Sequence, residues 1–272
     1  MAEATAGGQL GGEADGALPD AGVEPPPGAA DVFGTALPLA KRYAELLAGP
    51  GVERGVLGPA EADRIWERHL LNCAAVARLV PPKCSLADVG SGAGLPGIVL
   101  ALLLPGARVT LVEALARRVA FLEECVADLG LANVEVVRGR AEDLAGRLSV
   151  DLVTARAVAP LEKLAGWCAG LLRPGGRVLA IKGASAETEL SRARPALARL
   201  GVSDARVVEV GSADGAATAT VVMFSAGGRR IADQHGRAGQ RGTGPQGVRP
   251  GGQHGPAAGG RRARPNSRRG GG

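Results

Sequence analysis

The chain has 272 residues and a formal net charge of +5, with 46% hydrophobic, 22% charged and only 2% aromatic residues, enough for one large core built from Leu, Val and Ala. No apolar run reaches the roughly 18–20 residues of a membrane helix, and the N-terminus lacks the basic start and apolar stretch of a secretory signal. Cys73, Cys84, Cys125 and Cys168 have no C-x-x-C spacing, which argues against a disulfide framework, a zinc knuckle or another metal site and for reduced thiols in a cytosol.

Charge and glycine divide the chain into three. Residues 1–30 hold five acids and no Lys or Arg; residues 227–272 hold ten arginines against Asp233 alone. These two ends also carry 22 of the 43 glycines and show no apolar periodicity, so both are expected to be disordered. The basic end reads either as a solvated extension or as an arm for phosphate backbone. The expected folded body is 31–226, with N-terminal helices over 31–82 and a core over 83–226.

Within the body, Phe33, Leu37, Leu39, Ala40, Tyr43, Leu46 and Leu47 recur at helical spacing from about Asp31, and Gly49-Pro50-Gly51 should end that helix. A second helix starts near Pro59, carries Ile65, His69, Leu70, Cys73, Val76, Ala77 and Val80 on its apolar face, and stops at Pro81-Pro82. Strand and helix then alternate. Strands are expected at Ser85–Val89, Arg108–Val112, Val134–Val137, Asp151–Ala155 and Arg177–Ile181. Helices are expected after Pro96, over Ala114–Leu129, from Pro160 to Leu172 and over Glu187–Leu200, where Pro195 should kink or restart the last one. Arg206–Val210 and Ala219–Phe224 close the body as a hairpin. This order argues for a mostly parallel, doubly wound α/β sheet of seven strands, with a ligand at the carboxyl ends of strands one to four.

The informative stretch is Asp88-Val89-Gly90-Ser91-Gly92-Ala93-Gly94-Leu95-Pro96-Gly97, which leaves a strand and enters a helix. Its glycines permit positive φ and let a ligand touch the backbone. Glu113, at the end of the second strand, is placed to accept hydrogen bonds from both ribose hydroxyls of a nucleoside. That geometry suits NAD and S-adenosylmethionine alike. Asp88 favours the second, because a carboxylate beside the turn is unhelpful next to a pyrophosphate and tolerable near a sulfonium. Arg138-Gly139-Arg140-Ala141-Glu142-Asp143 reads equally as an adenine-edge site or as a helix cap. Arg156 reads as a positioning group or as the structural partner of Glu113 or Glu142. Lys182, Arg117 and Arg118 read as phosphate contacts or as surface charges, His69 as a packing histidine, and Trp66 and Trp167 as buried rather than base-stacking.

Taken together, these residues resemble the bacterial 16S rRNA guanine-N7 methyltransferase G family, once called glucose-inhibited division protein B. The matching segments are Arg68-His69-Leu70-Leu71-Asn72, the glycine turn through Leu95-Pro96-Gly97-Ile98, Glu113 through Leu122 with Arg117-Arg118 and Phe121-Leu122, Arg140-Ala141-Glu142, Thr154-Ala155-Arg156-Ala157-Val158-Ala159, and Ile181-Lys182-Gly183 with Gly176. The resemblance implies a Rossmann-like methyltransferase domain with an N-terminal helical extension. It implies that Gly90, Leu95, Glu113, Ala114, Leu115, Ala141, Glu142 and Arg156 line a site for S-adenosylmethionine. Its expected substrate is 16S rRNA or the small ribosomal subunit, and its expected setting is a cytoplasmic monomer away from membranes. Arg156 is the one residue suspected of positioning the reactants, and no obligatory catalytic base is expected. The alternatives are an RNA-binding protein with a vestigial pocket and an NAD-dependent oxidoreductase.

Overall fold

The computed structural model describes residues 23–212, 215 and 217–225. The acidic stretch 1–22 and the basic stretch 227–272 lie outside the described residues. Val23 to Ala30, read from sequence as part of a disordered end, pack on the body instead. The Val23 carbonyl accepts a 2.7 Å hydrogen bond from Trp66 Nε1, and Ala29 is fully buried.

The N-terminal layer is helical but irregular. Helix α1 (Ala29–Phe33) leads through a 3₁₀ turn into α2 (Leu37–Leu46). Gly49-Pro50-Gly51 does not end this segment. The chain widens into a π-helical turn over Leu47–Gly51 that carries Pro50 inside it, and reverses only at Gly55, where φ is +60°. The second expected helix is broken into a 3₁₀ turn (Pro59–Arg64), a π-helical turn (Ile65–Leu71), the short α3 (Asn72–Val76) and a further 3₁₀ turn (Ala77–Leu79).

The core then alternates as expected: β1 (Ser85–Val89), α4 (Gly97–Leu103), β2 (Arg108–Glu113), α5 (Ala116–Asp128), β3 (Val134–Arg138), β4 (Val150–Arg156), α6 (Leu161–Ala169), β5 (Leu172–Lys182), α7 (Ala186–Arg199), β6 (Arg206–Gly211) and β7 (Thr218–Ser225). Residues Arg173–Gly176, between the expected helix and strand, belong to β5, whose pairing with β4 shifts register between Val150 and Leu152. Helix α7 runs as one element with Pro195 inside it.

The strands form one sheet in the order β3-β2-β1-β4-β5-β7-β6. The first five strands are parallel. β7 slots antiparallel between β5 and β6, closing the late hairpin onto the sheet. Side chains alternate across it. Leu86, Leu152, Leu179 and Val221 join the cluster beneath α4, α5 and the N-terminal helices, whereas Ala87, Val153, Ala180 and Val222 join the cluster beneath α6 and α7. This is the period-2 pattern of strands buried on both faces. The N-terminal layer shares the first cluster through Phe33, Tyr43, Leu47, Ile65, Trp66 and Leu70. Trp66 is held edge-on against Phe33 with ring centroids 5.9 Å apart. It is therefore a core side chain, as the sequence suggested.

This layer braces the glycine turn. Tyr43 is fully buried, and its hydroxyl donates a 2.6 Å hydrogen bond to the Ala93 carbonyl. Tyr43→Phe leaves that carbonyl buried without its partner. The expected cost is about 1–2 kcal/mol of folding stability, measured by urea unfolding; an unchanged stability would mean that the turn holds its shape without the brace.

Candidate active site

The strand register assembles the site. Val89 of β1 is paired with Val112 of β2 and with Ala155 of β4. The next residue along each strand, Gly90, Glu113 and Arg156, therefore falls at one level across the carboxyl ends. Glu113 pairs in turn with Arg138 of β3, and Arg156 with Ile181 of β5. Strand order reverses direction between β1 and β4, so the crossovers diverge there and leave a crevice.

A cavity of about 540 Å³ occupies that crevice, lined by Gly90, Leu95, Glu113, Ala114, Ala141, Glu142 and Arg156 among others. Leu115 is the exception among the sequence-expected residues: it is 51% exposed and does not line the cavity, and its backbone N–H donates to Glu113 Oε1 at 2.9 Å. The cavity also takes in Val56, Leu57, Val158 and Trp167. Nothing local in the sequence marked Val56 and Leu57. They arrive from the segment between the two N-terminal helical stretches.

The turn itself is held open by backbone conformation. Gly90, Gly92 and Gly94 all have positive φ. A Cβ on Gly90 would lie 2.7 Å from Val158 Cγ2, so the turn packs directly on the segment after β4 there. Glu113 is 4% exposed; its Oε2 accepts the Gly92 N–H at 3.0 Å and lies 3.7 Å from Arg118 Nη1. Arg118 thus faces this carboxylate at the cavity wall. A carboxylate offers about four acceptor positions, so Glu113 keeps lone pairs for a ligand after both backbone contacts.

Asp88 does not reach the cavity, contrary to the expectation that it stands beside the ligand. It is fully buried beneath the turn, where Oδ2 accepts the Gly97 N–H at 3.1 Å and Oδ1 accepts the Thr154 hydroxyl at 3.1 Å. Burial pushes its pKa up to about 6, against the pull of these hydrogen bonds. The lack of a side chain at Gly97 is required here, since a Cβ would lie 2.8 Å from Asp88 Oδ2.

Two further expectations change. Arg156 pairs with neither Glu113 nor Glu142 within hydrogen-bond distance. Its Nη1 lies 3.0 Å from Nδ1 of His69, which is only 6% exposed. Lys182 faces inward rather than toward a phosphate: its ammonium donates to Glu189 Oε1 at 2.8 Å and to the Ala159 carbonyl at 3.2 Å. Glu189 Oε1 also accepts the Leu161 N–H at 2.7 Å, so this pair clamps the segment that follows Arg156. Ala157, in that segment, has φ +54°, a conformation that costs a non-glycine residue energy and clusters at functional sites. Glu142 is exposed at the start of a 3₁₀ turn with Ala141 buried beside it.

The cavity fits a nucleoside-sized cofactor. Its volume lies within the roughly 300–1,000 Å³ of small-molecule sites, and it offers a carboxylate with spare acceptors at the end of β2 beside an open glycine turn.

Comparison with known proteins identifies the family that the chain resembles. Residues 36–217 match the family described as GidB, rRNA small subunit methyltransferase G. The chain is 55% identical over 203 residues to a ribosomal RNA small subunit methyltransferase G of Thermobifida fusca, spanning 75% of this chain and 86% of that one. It is 51% identical over 222 residues to the protein of the same name from Streptomyces coelicolor, spanning 80% and 93%. Among solved structures, a SAM-dependent O-methyltransferase from Thermotoga maritima aligns with a TM-score of 0.46 at 18% identity, over 58% of this chain and 65% of that one.

The raised Asp88 pKa has a consequence for stability. The folded state holds a proton that the unfolded chain releases at 3.8, so stability is fully present below about pH 4 and declines as pH rises to about 6, by about 3 kcal/mol. Asp88→Asn keeps a neutral acceptor for Gly97 and removes this component. Urea unfolding at intervals from pH 4 to 7 should show the variant gaining on the wild type as pH rises; parallel curves would mean that Asp88 titrates normally.

Proposed function

The chain belongs to the rRNA small subunit methyltransferase G family, and from that membership we propose that it transfers a methyl group from S-adenosylmethionine to N7 of a guanine in 16S rRNA. The observation that carries this reading is the row of Gly90, Glu113 and Arg156 across the carboxyl ends of β1, β2 and β4, opening on one cavity.

S-adenosylmethionine supplies an electrophilic methyl carbon on a sulfonium. Glu113 would hold its ribose hydroxyls, with the carboxylate fixed in place by the Gly92 and Leu115 N–H groups. In this reading Ala141 and Glu142 would meet the adenine edge, and Trp167 borders the same cavity. Gly90 would let the turn approach the ligand closely, with Leu95 lining the cavity beside it and Ala114 continuing the wall past Glu113.

Guanine N7 is a neutral nitrogen with an in-plane lone pair, so it attacks without losing a proton. The cavity accordingly needs no general base, and its carboxylates Glu113 and Glu142 would serve binding. The protein's contribution is alignment of N7, methyl carbon and sulfur, which in favourable cases supplies about 7–11 kcal/mol of the barrier. Arg156, which ends β4 and lines the cavity, would act as a positioning group for the incoming base. Arg118 and Arg140 add positive charge at the same cavity, which suits an approaching phosphate backbone. The same reading puts the protein in the cytoplasm, as a monomer acting on the small subunit or its RNA, with its four cysteines reduced.

Two measurements test this. Purified protein incubated with small ribosomal subunits and isotopically labelled S-adenosylmethionine should place label on 7-methylguanosine in the RNA, read by mass spectrometry of nucleosides; label on another base, or none, refutes the assignment. Glu113→Ala should weaken S-adenosylmethionine binding about 10- to 100-fold by titration calorimetry. Tight NADH binding in its place would move the protein to the oxidoreductases.

A further inference from the structure

Arg156 ends β4 and borders the cavity, yet its guanidinium makes its side-chain hydrogen bond to a histidine from the N-terminal layer. His69 lies in the π-helical turn Ile65–Leu71, a wide turn of the kind found disproportionately at functional sites. Its other ring nitrogen, Nε2, lies 2.9 Å from Glu61 Oε2, although off the line of a well-aligned hydrogen bond. Glu61 comes from the preceding 3₁₀ turn and also lies 3.3 Å from Arg68 Nε. Three side chains 95 residues apart in sequence at their extremes are thus joined in a row that ends at the cavity.

The chemistry of the row is constrained. A guanidinium has five N–H donors and no acceptor. His69 Nδ1 must therefore present its lone pair to Arg156, which puts the ring proton on Nε2, facing the Glu61 carboxylate. Burial, reinforced by the Arg156 cation, holds the imidazole pKa down at about 4, so the ring is a neutral acceptor at neutral pH. A carboxylate in its place would fix the guanidinium equally well but would neutralise it. A neutral imidazole fixes the long side chain while leaving its charge and its remaining donors to the cavity. An unrestrained arginine carries about 2 kcal/mol of rotamer entropy, which would otherwise be lost when the reactants are aligned.

Resting on the methyl-transfer reading above, we propose that His69 and Glu61 are positioning residues that hold Arg156 at the cavity wall as an undiminished cation, and that His69 is the acceptor on which its placement depends. This gives the N-terminal layer a part in catalysis beyond bracing the glycine turn.

The test is a kinetic cycle on small ribosomal subunits, with S-adenosylmethionine affinity and thermal unfolding measured on each variant. His69→Ala should lower kcat about 10- to 100-fold, the scale of a misplaced reacting group, with S-adenosylmethionine Kd and RNA KM within about threefold of wild type. His69→Asn, whose amide oxygen can stand in for Nδ1, should recover about tenfold of that loss. In the Arg156→Ala background, His69→Ala should change kcat by less than about twofold, because its target is already gone. Unchanged kcat in His69→Ala, equal loss in His69→Asn and His69→Ala, or full multiplication of the two losses in the double variant overturns the proposal. Should His69→Ala unfold, Glu61→Gln gives the decision: a several-fold fall in kcat at unchanged Kd supports the row, and wild-type kcat overturns it. Each comparison is a ratio to the wild-type rate. A wild type that methylates a different base therefore sinks the guanine assignment without deciding the role of the row, which is then read on that base by the same cycle.

Discussion

The site depends on one buried carboxylate. Asp88 sits beneath the glycine turn with no solvent, bound on one oxygen to the first backbone N–H of α4 and on the other to Thr154 of β4. These contacts tie the end of β1 both to the helix that follows it and to the strand beside it. The turn above is thereby forced to leave the sheet at a fixed place, and Gly90 is pressed against Val158. The tie is costly, since burial raises the carboxyl pKa, and such a cost is tolerated where a unique geometry is needed.

Around this point the protein restrains each wall of the cavity from a different part of the chain. Tyr43 supports the turn from the N-terminal helices. Glu113 gathers two backbone N–H groups and so holds its own carboxylate still. Lys182 and Glu189 fasten the segment after Arg156 to α7 through the Ala159 carbonyl and the Leu161 N–H. His69 takes the guanidinium of Arg156. For a reaction that needs alignment more than proton transfer, these restraints are the relevant catalytic apparatus, because alignment is effective only when the aligned groups are already fixed.

Much of this was legible in the chain. The alternation of apolar runs with helical periodicity gave β1 to β4 and their crossovers to within a few residues, because strands buried on both faces and helices with one apolar face leave different local patterns; β5 begins five residues before its expected start, at Leu172. The glycine turn and Glu113 were legible because the turn's backbone needs and the length of a βαβ unit fix their spacing. The N-terminal layer was less legible. Gly49-Pro50-Gly51 looks like a stop, but packing of Leu47 and Gly51 into the core carries the chain through it in a wider helical turn. Local propensity is a weak prior against such burial.

The sequence by itself determined the order of strands and helices, the turn that approaches the ligand, and the acid at the end of β2, since each is set by contacts within some 30 residues of chain. Which partner each charged side chain takes was settled by long-range packing. Arg156 meets His69 across 87 residues, Asp88 turns inward to Thr154 across 66, and Lys182 turns away from solvent to Glu189. The reason is physical: a charged group's role follows from which donors and acceptors share its buried space, and sheet register together with helix packing, both long-range, determine who those neighbours are.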